Sequence, residues 1–146
     1  MPARPLWRAG DLLLRILTAA GLAVDAYVHA DLAATYDAVG GSITEGTLFR
    51  IEAGLASLAA LAVVVTGVRL AYLLAFLVAG SALAVILVYR YIDVGAVGPI
   101  PQMYEPVWFH DKSVAAVAES VATVAALGRL LLTGKRPAAR ASVSQS

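Results

Sequence analysis

The sequence predicts an all-α fold, a bundle of four transmembrane helices, and three observations lead to this prediction. Hydrophobic residues make up 60% of the 146 residues and charged residues only 14%, with a mean hydropathy of +0.80, which is atypical of a soluble domain. Four apolar segments have the length of about 20 residues that a membrane-spanning helix needs. Lys and Arg concentrate at one end of these segments, as in multi-pass membrane proteins.

The four predicted spans cover about residues 12–30, 47–68, 70–92 and 113–133. The first span follows Arg4 and Arg8, is long and has no convincing small-residue cleavage site, so we expect a retained helix, with a cleaved signal peptide as the alternative. Only the neighbourhood of Gly67 separates the second and third spans, which predicts a tight antiparallel hairpin. Residues 1–136 thus form one membrane domain, and the polar residues 137–146 are predicted to be a disordered cytoplasmic tail.

The positive charges predict the orientation of the bundle. Eight of the eleven Lys and Arg residues fall on the side of the termini and the tight hairpin: Arg4, Arg8, Arg15, Arg69, Arg129, Lys135, Arg136 and Arg140. Positive residues near helix ends are retained in the cytoplasm. Both termini are therefore predicted to be cytoplasmic, in a protein of the cell membrane.

A polar cluster is predicted near the extracytoplasmic face. Each predicted helix contributes one charged residue at a similar depth: Asp25, Glu52, Arg90 and Glu119. His29 follows Asp25 by four residues, which places both side chains on one helix face. Arg90 is the expected partner of the buried acids, yet one Arg against three carboxylates leaves negative charge for a proton, a cation or a basic ligand to neutralise.

Three interpretations of this cluster stay open. It can be a structural network that fixes helix register, or a metal or ligand site built from Asp25, His29, Glu52 and Glu119 with His110 above them. Any metal would use His and carboxylate ligands, because the chain has no cysteine. The third interpretation is proton or ion translocation, which the apolar inner halves of the helices disfavour.

The loop over residues 98–112 is predicted to form an ordered cap on the outer face, because it contains three prolines and several aromatic and charged residues. The candidate cap residues are Tyr104, Glu105, Trp108, His110 and Asp111. Either Asp111 or Ser113 is expected to N-cap the fourth helix.

Several function classes are excluded or disfavoured. Net charge is only +1 and the basic residues are scattered, so we expect no nucleic-acid binding. The chain has no nucleophile elbow, phosphate-binding Gly loop or His-Glu-x-x-His motif. An enzyme of a standard class is therefore not expected, and no motif identifies a cofactor.

Short motifs in the first two helices resemble those of a known group. Leu12-Leu-Leu-Arg15, the acid and His near the outer end of the first helix, and Glu52 followed by Ala-Gly-Leu are similar to the pattern of DoxX-like four-helix membrane proteins. The Ala-rich composition also resembles small actinobacterial integral membrane proteins. The resemblance implies a role in membrane redox systems or as an accessory subunit, with Glu52 as the acid of the second helix.

Two functions follow as predictions. The first is a non-enzymatic accessory or interaction subunit of the cell envelope, embedded in the lipid bilayer with a membrane-protein partner or a second copy of itself. The alternative is a small transporter or a metal- or redox-linked protein that binds a ligand at the polar cluster.

Overall fold

A computed structural model describes residues 4–133, and this part of the chain is all-helical. Its four helices are α1 (Arg4–Ala33), α2 (Glu45–Thr66), α3 (Arg69–Tyr91) and α4 (His110–Thr133). Each helix is long and apolar enough to cross a membrane. Even α2, with 22 residues, extends about 33 Å at 1.5 Å per residue, against a hydrocarbon core of about 30 Å. The prediction of an all-α four-helix bundle with the character of a multi-pass membrane protein is confirmed.

The helix ends differ from the predicted bounds. α1 begins at Arg4 and not near Leu12, and α4 begins at His110 and not at Ser113. A run of apolar residues identifies only the part of a helix that lies in lipid. The backbone hydrogen bonds of the helix can continue into the more polar residues on either side. Neither expected N-cap of α4 is found, since Asp111 lies within its first turn and the Ser113 hydroxyl donates to the Phe109 carbonyl at 2.9 Å. The predicted tail, residues 137–146, lies outside the described residues.

A two-residue connection joins α2 to α3, as the sequence predicts. Gly67 follows α2 with φ +59°, and its N–H donates to the Val63 carbonyl at 3.1 Å. This left-handed conformation is readily adopted by glycine. We call the end of the bundle with this hairpin the inner end, and the end with the α1–α2 and α3–α4 loops the outer end.

Small residues form the interior and large apolar residues form the surface. Ala56, Ala59, Ala75, Ala79, Ala122 and Ala126 are all fully buried, whereas Leu70 and Val124 are 72% and 70% exposed. Helices in lipid gain little from burying large apolar side chains and approach one another where side chains are small. This surface is therefore one that contacts lipid.

The packing of the helices determines which of them lie against the charged residues of α1. α1 packs mainly against α2 and α4, whereas α3 packs against α4 and α2 and touches α1 little. α1 and α3 thus lie diagonally across the bundle. Charged side chains on the inward face of α1 therefore lie closer to side chains of α2 and α4 than to those of α3.

Candidate functional site

Asp25 and His29 occupy the inward face of α1, one turn apart, and are 0% and 8% exposed. His29 Nδ1 lies 2.7 Å from Asp25 Oδ1 and 3.1 Å from the Asp25 main-chain oxygen. Only the main-chain contact is aligned as a hydrogen bond, so both carboxylate oxygens of Asp25 keep unused acceptor capacity. The His29 ring also packs edge-on against Phe49, with 5.2 Å between the ring centroids, and the imidazole is held between these two contacts.

Glu119 faces the same point from α4. The buried positions of this helix include Ala115, Ala118, Ala122 and Ala126, so Glu119 replaces an alanine on an otherwise inward-facing alanine stripe. It is fully buried, and neither of its carboxylate oxygens has a hydrogen-bond partner among residues 8–133. Its carboxyl group meets that of Asp25.

The three side chains converge closely enough to bind one ion. Ligand atoms of Asp25, His29 and Glu119 all lie within 4.8 Å of one another, and we call these three residues the donor set. Glu52 of α2 is half-buried and stands beside Asp25, with one carboxylate oxygen buried and unpaired in the described part of the chain. Glu52 therefore lies next to the donor set without belonging to it.

Arg90 does not join the acids, contrary to the prediction. Within the described residues it forms no salt bridge, and its guanidinium carbon lies 4.9 Å from the Tyr91 ring centroid and 5.7 Å from that of Trp108. Arg90 is in the last turn of α3, the helix diagonal to α1. A long cationic side chain at a helix end turns toward the interface, where aromatic rings and water solvate it better than the bundle interior does.

The loop between α3 and α4 is fastened at Glu105. Its N–H donates to the Tyr89 carbonyl at 3.1 Å, its carboxylate accepts from the Tyr36 hydroxyl at 3.3 Å, and its carbonyl accepts from Lys112 Nζ at 2.7 Å. Burial raises the pKa of Tyr36 to about 12, assisted by the nearby carboxylates of Glu105 and Glu45, so its hydroxyl remains a donor at neutral pH. Contacts with α3, α4 and the α1–α2 loop hold the cap in place.

The remaining predicted cap residues lie at the surface. Tyr104 and Trp108 are each 39% exposed, and Asp111 is in the first turn of α4. His110 lines a surface groove between α1 and α4 together with Val117. It does not belong to the donor set, so the structure does not place it as the upper ligand that the sequence suggested.

Two features of the outer end escaped sequence analysis. Arg50 holds Asp37 through two hydrogen bonds of 2.6 and 2.7 Å, and this contact lowers the pKa of Asp37. A cavity of about 70 Å³ also lies beside His29, with Glu45 and Lys112 in its wall. The spacing of charged residues along the sequence could not have located either feature, because both depend on the conformation of the loops at the outer end.

The charge balance of the cluster determines what it can do chemically. Asp25, Glu52 and Glu119 have no Lys or Arg partner among the described residues, and His29 is the one basic group in contact with them. Buried carboxylates without a counter-charge are costly in a membrane. The cluster can therefore take up protons or a cation. No family model matches the chain, and no curated protein or solved structure is significantly similar to it.

Proposed function

We propose that this multi-pass membrane protein binds a divalent metal cation at Asp25, His29 and Glu119. The observation that supports the proposal is the convergence of three buried ligand atoms within 4.8 Å, without a basic side chain other than His29 itself. A cation of charge +2 would offset the carboxylates of Asp25 and Glu119. Glu52, adjacent to Asp25, is available as a fourth ligand or as a base that accepts the proton released on binding.

The ligand types limit the choice of metal. One imidazole nitrogen and carboxylate oxygens suit Mn²⁺, Fe²⁺, Co²⁺ or Zn²⁺, whereas Cu⁺ prefers thiolate and thioether ligands. The hydrogen bond between His29 Nδ1 and the Asp25 main-chain oxygen is the type of interaction that orients a metal-binding imidazole. Fe²⁺ or Mn²⁺ would give the site redox chemistry, and Zn²⁺ would give it a structural or Lewis-acid role.

We further propose that both termini are cytoplasmic and that the donor set faces the extracytoplasmic side of the cell membrane. The distribution of positive charge supports this orientation, since Arg8, Arg15, Arg69 and Arg129 all lie toward the inner end. The metal would then come from outside the cytoplasm.

An accessory role is the second candidate, and a groove between α1 and α2 favours it. Small residues line this lipid-facing groove, among them Ala26, Ala53, Gly54 and Ser57. Small residues permit close approach of another helix in a membrane. A partner subunit or a second copy of the chain could dock there. The resemblance to DoxX-like proteins implies an accessory role in general, without a docking position.

Native mass spectrometry of the protein extracted in mild detergent tests both candidates, because it weighs metals and partner chains together. We expect one metal ion per chain, and at least tenfold lower metal affinity in Glu119→Gln after chelation and reloading with Mn²⁺, Fe²⁺ or Zn²⁺ in turn. Asp31→Asn is the control, because it removes one negative charge at the outer end from an exposed position outside the donor set.

Two results would contradict the metal proposal. Wild-type protein that takes up none of the three metals would leave the donor set as a proton-sharing structural network. Equal metal affinity in Glu119→Gln and Asp31→Asn would place the metal elsewhere. A stoichiometric second polypeptide, with or without metal, would support the accessory role.

A further inference from the structure

The cavity beside His29, which we call the outer cavity, has an apolar body. All four helices and the α3–α4 loop contribute to its wall. Val28, Leu32, Val85 and Ile86 supply hydrocarbon surface, and the rings of Phe49 and Phe109 close two further sides. Its volume of about 70 Å³ corresponds to about five water-sized spaces, which suits a small organic molecule of similar heavy-atom number.

One polar group in this wall lacks a partner. Glu45 is only 8% exposed and lies in the first turn of α2, yet its carboxylate takes part in none of the side-chain hydrogen bonds or ion pairs found within residues 8–133. The dipole of α2 favours a carboxylate at this position. That field supplies no hydrogen-bond donor, however, so an acceptor in the cavity wall remains available to a ligand.

When both carboxylates are ionised, Glu45, Glu105 and Lys112 leave one negative charge at the cavity. Lys112 Nζ donates to the Glu105 carbonyl and lies 3.7 Å from Glu105 Oε2. Lys112 also acts on Glu45, but one ammonium group cannot neutralise two carboxylates. A single positive charge brought by a ligand would restore the balance.

We propose that the outer cavity binds a small organic ammonium ion with a short apolar body. The ammonium group would donate to the Glu45 carboxylate, and the hydrocarbon body would pack on Val28, Leu32 and Val85. The side chains of Phe49 and Phe109 add further apolar surface to this wall. A neutral molecule of the same shape would leave Glu45 without a donor, so charge and shape together define the ligand class.

The outer cavity is separate from the proposed metal site, although His29 is a member of the donor set and also lines the cavity. Glu45 is not part of the donor set, and neither Asp25 nor Glu119 lines the outer cavity. The two proposals therefore fail independently. Loss of amine binding with metal retained, or the reverse, identifies which site a substitution has damaged.

The test is isothermal titration calorimetry of the full chain in phosphatidylcholine nanodiscs, with empty nanodiscs as the blank. The probes are n-butylammonium chloride and n-butanol, which differ chiefly in charge. We expect n-butylammonium to bind once per chain and at least tenfold more tightly than n-butanol. Equal affinity for the two probes on the unmodified protein would overturn the proposal, and this comparison requires no variant.

Variants then locate the site. Glu45→Gln should weaken n-butylammonium binding at least tenfold, whereas Asp31→Asn, which removes an exposed charge from the same end, should leave it within twofold. Glu119→Gln should also leave it within twofold. Unchanged binding in Glu45→Gln, or equal loss in Asp31→Asn, would contradict the assignment, as would displacement by equimolar sodium, which would indicate a site for inorganic cations.

Discussion

At the scale of single residues, Gly21 sets how closely α1 and α4 approach. A Cβ atom at this position would lie 2.7 Å from the Ala118 carbonyl oxygen and 2.9 Å from Ala122 Cβ. Backbone atoms cannot move aside as a flexible side chain can. The absence of a side chain at Gly21 therefore allows the approach of α4, and Glu119 lies between the two α4 residues that Gly21 contacts.

Gly21→Ala should lower the free energy of unfolding by about 1–3 kcal/mol, the usual cost of overpacking. Gly54→Ala is the matched control, because a Cβ there meets nothing within 4 Å, and it should change stability by less than about 1 kcal/mol. Denaturant titration in detergent micelles measures both variants. Equal stability of the two variants would show that the contact between α1 and α4 tolerates a methyl group.

Individual residues also differ in how far the sequence could predict them. Asp25 and Glu119 are predictable because an acid within an apolar helix is costly and must face inward. Arg90 was assigned to the wrong environment, because the sequence fixes the depth of its Cα but not the direction of a long side chain. The free carboxylate of Glu45 depends on the folded loop and has no signal in the sequence.

At the scale of helices, Arg15 of α1 stabilises the inner end of α2. Its Nε donates to the Val63 carbonyl at 3.0 Å and its Nη2 to the Val64 carbonyl at 2.5 Å. These carbonyls belong to the last turn of α2, where the helix has few amide donors of its own to offer. A guanidinium group also complements the negative end of the helix dipole.

Arg15→Met should destabilise the protein by about 1–3 kcal/mol, since it removes charge-assisted hydrogen bonds to partly buried carbonyls. The amides of the following hairpin should also exchange faster, which hydrogen–deuterium exchange in nanodiscs measures. Arg8→Met is the control, because Arg8 is exposed on the same helix. Identical exchange in both variants would mean that the α2 terminus does not depend on Arg15.

Helix centres were predictable and helix ends were not. A run of apolar residues such as 70–92 identifies a span by length alone, and α3 covers Arg69–Tyr91. α1 extends three residues beyond Ala30 at its outer end, to Ala33, because polar flanks remain helical without an apolar signal. The tight hairpin was predictable because Gly67 provides the left-handed residue that ends α2.

At the scale of the whole molecule, charge is distributed unevenly along the bundle axis. Asp11 pairs with Arg129 at the inner end, whereas the carboxylates of Asp25, Glu52 and Glu119 cluster toward the outer end without Lys or Arg partners in the described chain. This asymmetry distinguishes the two faces of the protein, whereas the proposed orientation rests on the positive charges toward the inner end.

The absence of cysteine makes the orientation directly testable. Ser42→Cys lies in the α1–α2 loop and Val68→Cys in the hairpin, and both positions are exposed. A membrane-impermeant maleimide should label Ser42→Cys in intact cells, and Val68→Cys only after permeabilisation. The reverse pattern would invert the proposed topology.

The packing of α1 against α4 also constrains the biogenesis of this protein. Asp25 and His29 are translated and inserted with the first helix, but Glu119 arrives only with the last. The nascent chain must therefore accommodate an acidic α1 in lipid or in the insertion machinery before its partners exist. Any ion held by all three residues can be loaded only after α4 has been inserted, so occupancy would report that α1 and α4 have packed together.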